Sequence, residues 1–341
     1  MQRKKCNFGA VFKVIVYTPL IMSVDNTLDF YISDWFEHFE LPKHPEGLYS
    51  PIEYTLRSGG KRLRPKLLLA ALLGFDGAPE KARWQCLGLE MFHNFTLLHD
   101  DVMDKSELRR GQPTVHIKWN ENTAILSGDT MLTLATRYMS QCDDSSLRVV
   151  LDTFNTTAIE VYEGQQLDMD FENRKDVTVD EYLEMIRLKT SVLLGCALKI
   201  GAILGGADST DVEGLYDFGV NLGIGFQLRD DYLDTFGDPL IFGKQIGGDI
   251  LNDKKTWLMI TALNDITGRQ MLKEVEGLTE PDEKINAVRS IYTRLELDRH
   301  ILELIKHYSQ QAVKCLDATS VSVPVKKYLT DIASRLIDRA Y

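Results

Sequence analysis

Leu97-Leu98-His99-Asp100-Asp101-Val102-Met103-Asp104, with Arg109-Arg110-Gly111 shortly after it, is the stretch from which the rest of the chain can be read. If the apolar run before it is helical, Asp100 and Asp104 lie one turn apart on one face, their Cβ atoms roughly 5–6 Å from each other. Carboxylates so placed repel unless something cationic sits between them. A site of hard oxygen ligands favours Mg2+, which keeps several waters and is usually completed by phosphates rather than by protein. The arginine pair offers those phosphates a place. Alone, the pattern would fit a solvated acidic helix end equally well. A second copy shifts the balance: Gly225-Phe226-Gln227-Leu228-Arg229-Asp230-Asp231-Tyr232-Leu233-Asp234 again sets carboxylates at i, i+1 and i+4 after an apolar helical pattern. Two such clusters facing each other across a helical bundle could hold several Mg2+ ions and one diphosphate between them.

Composition bounds the alternatives. The 341 residues, 44% hydrophobic and 26% charged, are ordinary for a globular chain, which sets disorder aside. A formal net charge of -11 argues against nucleic acid and against an anionic membrane surface, so an anionic substrate must meet local basic clusters. Five cysteines (Cys6, Cys86, Cys142, Cys196, Cys315) without C-x-x-C spacing indicate neither a zinc site nor a disulfide framework, and a cytoplasmic location is expected. No run of 18 apolar residues is evident, so no membrane span is expected. Residues 1–21 carry Arg3-Lys4-Lys5 and the apolar run Val11 to Tyr17, but Lys13 interrupts that run and no small-residue cleavage site precedes Asp25. They are expected to be a dispensable extension, with residues 22–341 forming a single all-α domain.

The apolar spacing is helical almost throughout, and no proline falls between Pro113 and Pro239, which suits several long helices. Ser50-Pro51-Ile52-Glu53 reads as a capping box with proline at the first helical position, and Gly59-Gly60 stops that helix. Between it and a helix begun at Pro65 lies Gly59-Gly60-Lys61-Arg62-Leu63-Arg64, where glycine lets backbone approach a ligand and three cations converge: a diphosphate grip, or else a solvated basic loop. A helix from Trp84 to Asp104 carries Glu90, His93, Leu97, Asp100 and Asp104 near one stripe, so His93 faces the acidic end. Lys189-Thr190 sits in an apolar helix from Tyr182 to Leu204, where a lysine is costly to bury without an anion, and a substrate phosphate would supply one. Gly243-Lys244-Gln245-Ile246-Gly247-Gly248 and Asp253-Lys254-Lys255 add cations on a glycine-rich loop suited to closing over phosphates. From about Met271 onward the helices are amphipathic and carry no evident chemistry.

With these residues assembled, the sequence resembles the trans-isoprenyl diphosphate synthases, the polyprenyl synthetase family, from about Asp29 to Arg339. The motifs stand in family order: Gly59 to Arg64, the first Asp-Asp-x-x-Asp with Arg109-Arg110-Gly111, Gly164-Gln165-x-x-Asp168, Lys189-Thr190, and Gly223 with Phe226 to Asp234. One departure is Asp249-Ile250-Leu251-Asn252-Asp253-Lys254, where the family usually reads Asp-Ile-x-Glu-Gly-Lys. The resemblance implies an all-α isoprenoid synthase bundle around a deep apolar cavity, usually a homodimer. It implies that Asp100, Asp104, Asp230 and Asp234 bind three Mg2+ when substrate is present, supported by Asp101 and Asp231. Arg109, Lys189, Lys244 and Lys254 would hold an allylic diphosphate, and Lys61, Arg64, His93 and Arg110 isopentenyl diphosphate. Lys189, Thr190 and Gln227 would assist an ionisation, condensation and elimination. Phe95 at the fifth position before Asp100, small Thr96 at the fourth, and Phe92 one turn deeper resemble a C20 producer more than a C15 one. A terpene cyclase would replace the second cluster by an Asn/Asp-Ser/Thr-Glu motif, and a noncatalytic subunit would lose aspartates; both clusters here are whole.

Overall fold

Long proline-free segments of alternating apolar and polar turns become long helices. A computed structural model of the chain describes residues 23–238 and 246–337. In order they form α1 (Val24–Glu37), α2 (Glu46–Arg57), α3 (Leu63–Gly74), a 3-10 turn (Pro79–Ala82) and α4 (Arg83–Met103). A two-residue ribbon, β1 (Leu108–Arg109) with β2 (Gln112–Pro113), precedes α5 (Val115–Lys118), α6 (Glu121–Met139) and α7 (Asp144–Glu172). Then come α8 (Val179–Ile186), a π-helical turn (Arg187–Ser191), α9 (Val192–Gly205) and α10 (Ser209–Phe236). Helices Gly248–Leu251, Trp257–Asn264, Ile266–Val275, Pro281–Arg294, Leu297–Asp317 and Val323–Ile337 complete the described chain. The extension 1–21, Lys244 and Arg339 lie outside the described residues.

Two apolar clusters hold these helices. The larger joins α3, α4, α6, α7, α9 and the C-terminal helix through fully buried Leu67, Phe92, Met131, Phe154, Leu198 and Leu329. The smaller gathers Tyr182, Leu228, Leu258, Tyr292 and Ile301 under the far end of α10. Because α10 packs along both α9 and Leu297–Asp317, and α4 lies along α6, the acidic ends of α4 and α10 are fixed by buried surface at a distance from the chemistry.

Several sequence expectations shift. α2 begins at Glu46, so Ser50-Pro51 lies inside it; Pro51 and Ile52 are buried, and packing of that face outweighs the one hydrogen bond a proline removes. α3 starts two residues before Pro65. The short ribbon was not anticipated. The expectation about apolar length also needs correction: Val179–Gly205 is continuous helix, long and apolar enough by composition to cross a membrane, with mean hydropathy 1.5 and 72% of that window buried inside the fold. Its apolar side chains are thus mostly covered by protein. The described cysteines, Cys86, Cys142, Cys196 and Cys315, are free thiols, and Cys6 lies outside the described residues.

Candidate active site

The first acidic cluster forms the last turn of α4. Asp104 caps it, Lys105 turns into the left-handed region at φ 52°, and the Ser106 N–H donates to the Asp101 carbonyl at 3.0 Å, closing the helix by a Schellman arrangement. Arg109 lies on β1, and the turn between the strands is made by Arg110 and Gly111 at φ 54° and 74°, as a tight hairpin requires. That hairpin folds Arg109 back onto buried Asp101, to whose two oxygens its Nε donates at 2.8 and 2.9 Å. Its Nη2 lies 3.6 Å from Asp100 Oδ2. Burial pushes the Asp101 carboxyl up and Arg109 opposes it. Burial, then the charge of Asp100, push Asp104 up.

The cation facing this cluster is Lys189, in the π-helical turn before α9. The turn presses against α7 at Gly164, where an added Cβ would stand 2.3 Å from the Lys189 amide nitrogen. One turn on from Gly164, Asp168 receives a short hydrogen bond from the Lys189 ammonium, which also lies 3.6 Å from Asp100 Oδ1. The anion the sequence required for this lysine is therefore supplied first by the protein's own carboxylates. Lys254 stands in the same space. Burial alone would lower its ammonium, but Asp249, Asp168, Asp104 and Asp100 around it hold it above the usual lysine value.

The second cluster closes α10. Asp231 is buried; the Tyr182 hydroxyl donates to its Oδ2, and Gln227 Nε2 donates to Oδ1 at 3.2 Å. Burial first, then the charge of Asp249, push its carboxyl up to about 8. The Thr190 hydroxyl donates to Gln227 Oε1 at 3.4 Å, so Gln227 is held from both ends of its amide. Asp234 accepts the Asp249 N–H at 3.0 Å and thereby fixes the start of Gly248–Leu251. Asp168, Tyr182, Lys189, Gln227, Asp231 and Lys254 line one cavity of about 110 Å³. Tyr182 has no signal in the sequence, being a lone tyrosine on an apolar helix, and Asp249 is visible there only as the first residue of the loop motif.

Further back along α4, around Glu90 and His93, lies the basic loop. Gly59, Gly60 and Arg62 have φ of 85°, 145° and 46°, and the Arg110 guanidinium donates to the Gly59 carbonyl, joining hairpin and loop. Burial lowers the Arg64 guanidinium to about 10 against the pull of Glu90, and its Nε has no hydrogen-bond partner. Glu90 is buried beneath it, with Asn94 Nδ2 at 3.3 Å. Burial, then Arg64, Arg110 and Arg109, hold His93 well below the usual histidine value, so it is neutral at physiological pH. Lys61 is exposed on the same loop. Arg62 lies 4.2 Å over the Phe36 ring and within the field of the same Glu90.

Below Asp100, Phe95 and Phe92 are buried with ring centroids 5.7 Å apart, and Thr96 bonds back to the His93 carbonyl at 2.8 Å. Tyr162 of α7, missed from sequence, stands 6.1 Å from both phenylalanine rings.

A divalent cation fits these residues on three grounds. Both acidic clusters end helices, where the partial negative charge of the backbone already disfavours carboxylates. Asp100 Oδ1 is buried without a hydrogen-bond partner. The donors are all hard oxygens, the Mg2+ type. Among the described residues no three acid, histidine or cysteine groups come together into a set that could hold an ion by itself.

An all-helical bundle with almost no strand is the isoprenoid synthase fold shared by the solved structures it resembles. The polyprenyl synthetase family model matches residues 45–295. A geranylgeranyl diphosphate synthase of Methanosarcina mazei is 40% identical over 299 residues, covering 87% of this chain and 91% of that protein. A geranylfarnesyl diphosphate synthase of Natronomonas pharaonis is 37% identical over 324 residues, covering 89% and 93%. A crystal structure of a geranylgeranyl pyrophosphate synthase superposes with a TM-score of 0.86 at 44% identity, covering 93% of this chain and 98% of that one. The chain belongs to the polyprenyl synthetase family and is a trans-prenyltransferase of the short-chain isoprenyl diphosphate synthase type.

Proposed function

We propose that this enzyme extends allylic diphosphates with isopentenyl diphosphate up to a C20 product, geranylgeranyl diphosphate, with the aspartate clusters and the basic loop serving separate substrates. The observation that carries the reading is that α4 carries two groups along its length: Asp100 and Asp104, with Asp168, Lys189 and Lys254, on one side of the site at its C-terminal end, and Arg64, Arg110 and neutral His93 on the other side about two turns earlier. One side suits a metal-bound diphosphate that must leave; the other suits a diphosphate held only by protein cations. Asp100, Asp104, Asp230 and Asp234 would hold three Mg2+, whose charge stabilises the departing diphosphate. Lys189, Lys254, Lys244 and Arg109 would bind that diphosphate's oxygens. Arg109 would do so while its Nε anchors Asp101. Lys61, Arg64, His93 and Arg110 would bind isopentenyl diphosphate.

Ionisation of the allylic carbon–oxygen bond needs no protein nucleophile. Gln227, clamped between Asp231 and Thr190, presents its amide oxygen and the Thr190 hydroxyl as dipoles toward the allylic cation. The isopentenyl double bond attacks that cation, and the departed diphosphate takes the proton lost on elimination. Water must be kept out, since it would quench the cation to an alcohol. Phe95, Phe92 and Tyr162 would then stop the growing tail; the relative named for a C20 product supports this reading, and the one named for a C25 product is one unit longer. Exposed apolar Ile125 and Leu126 on α6 and Val149 and Ile159 on α7 support the homodimer expected from the family.

The test is incubation with isopentenyl diphosphate, Mg2+ and dimethylallyl, geranyl or farnesyl diphosphate in turn, following diphosphate release and identifying products by chromatography. Metal-dependent release with a C20 end product is expected. No release from any primer would overturn the reading, and a C15 or C25 end product would overturn its chain-length part.

A further inference from the structure

Beside the basic loop, and sharing Gly59 and Arg110 with it, α2, the β1–β2 hairpin and α5 line an open groove of about 630 Å³. Its working surface is Tyr54 and Arg57 of α2, Gly59, Arg110 of the hairpin turn, Lys118 and Trp119. The Tyr54 and Trp119 rings meet edge to face at 5.4 Å, and the Lys118 ammonium lies 3.8 Å over the Tyr54 ring and 5.1 Å from that of Trp119. Arg57 pairs with Glu53 at 2.8 Å. Lys118 and Arg110 rest instead on ring faces and on the Gly59 carbonyl, not on a carboxylate. Three cations against one carboxylate is a local excess in a chain of net charge -11. Exposed cation–π contacts are worth only about 0.5–1 kcal/mol. A charge-assisted bond to a phosphate is stronger, so Lys118 can leave the rings for one. That movement uncovers two aromatic faces. The groove's volume falls within the roughly 300–1,000 Å³ typical of organic ligands and is larger than a bare phosphate needs.

We propose that this groove binds a nucleoside diphosphate, its anionic head on Lys118, Arg57 and Arg110 and its planar base against Trp119 and Tyr54, and that occupancy draws Arg110 off the Gly59–Gly60 loop. Arg110 is the shared element, because its guanidinium contacts that loop and also lines the groove. The ligand therefore weakens isopentenyl diphosphate binding; this second half rests on the assignment of Arg110 to that substrate.

ADP, which joins a diphosphate to a planar ring and has no allylic carbon to donate, is the probe, titrated calorimetrically without Mg2+ so that the aspartate site is disfavoured. Wild type is expected to bind it saturably, Lys118→Ala about tenfold more weakly, and Trp119→Phe with a smaller loss. Both variants should keep wild-type condensation kinetics in the absence of ADP. Under assay conditions ADP should raise the KM for isopentenyl diphosphate in wild type and not in Lys118→Ala. Absent binding, or equal binding by wild type and Lys118→Ala, overturns the site. Inorganic diphosphate binding as tightly as ADP overturns recognition of the ring. Lys118-dependent binding without a change in KM overturns the coupling alone, and condensation activity measured without ADP reports separately on the proposed function.

Discussion

Replacing Gly164 by alanine tests whether the α7 contact with the π-helical turn sets the position of Lys189. The new methyl would stand 2.3 Å from the Lys189 nitrogen, 2.7 Å from its Cα and 2.8 Å from the Leu188 carbonyl carbon. All three are backbone atoms, which cannot rotate away. Against an ordinary contact of 3.4 Å the shortfall is about 1.1 Å, so α7 and the turn must part by nearly that much. Asp168 moves with α7 and Lys189 with the turn, so the pair that aims the ammonium at Asp100 is pulled apart. A misplacement of ~1 Å in a reacting geometry costs on the order of 100-fold in rate. Overpacking of this kind costs about 1–3 kcal/mol in stability. The expected result is a kcat lower by about two orders of magnitude, a lower Tm, and little change in the KM for isopentenyl diphosphate, whose loop lies between α2 and α3. Gly47→Ala is the control: its methyl would meet nothing within 4 Å, and alanine gains about 1 kcal/mol of helix propensity there. Steady-state kinetics and thermal unfolding of both variants decide it. Wild-type kcat in Gly164→Ala would refute the reasoning outright.

Arg64→Ala should chiefly raise the KM for isopentenyl diphosphate, by a factor matching one lost charge-assisted bond of about 1.5–3 kcal/mol; an equal loss in kcat at saturating substrate would mean the two diphosphate sites are not separate. His93 is held neutral in the folded state while an unfolded chain protonates it near its ordinary value of 6.5, so its share of stability is full above that pH and is lost as pH falls below it. His93→Gln should therefore lose less Tm than wild type between pH 7.5 and 5, and parallel Tm curves would contradict this. Phe95→Ala should lengthen the product and Thr96→Phe shorten it toward C15, read by product chromatography; unchanged products in both would move the tail's stop to other side chains.

What the sequence made legible follows from which forces are local. Helix periodicity and the absence of proline from 114 to 238 predict α6 to α10 without reference to any partner. The repeated acid spacing predicts one stripe on each of α4 and α10. Positions decided by distant contacts were less visible. Nothing near Pro51 announces that burial would carry α2 through it from Glu46. Lys189 was recognised as needing an anion, but its partners Asp168 and Asp100 are 21 and 89 residues away in sequence, and only the contact at Gly164 brings the first beside it. Likewise Tyr182 reaches Asp231 because the turn that ends α8 lies against α10. Such pairings are properties of helix crossings, and no window of sequence contains both members.

The loop that departs from the family pattern shows how a substitution can be legible and its consequence not. Where the family usually has Glu-Gly before the lysine, this chain has Asn252-Asp253. A glycine there would supply a left-handed backbone at no steric cost. Asp253 adopts that conformation itself, at φ 50°, and aspartate is among the few non-glycine residues that do so routinely, as single residues. Its carboxylate then receives the Lys284 ammonium at 2.9 Å from the helix Pro281–Arg294. The Lys254 N–H returns to the Asp249 carbonyl at 2.9 Å, closing the turn. With the turn closed, the Lys254 side chain lies within the field of Asp249, Asp168, Asp104 and Asp100. The lysine is thus delivered to the acidic end of α4 by a turn whose usual residue is missing, because the physical requirement is a positive φ followed by a cation, and aspartate meets the first part while adding an ion pair of its own.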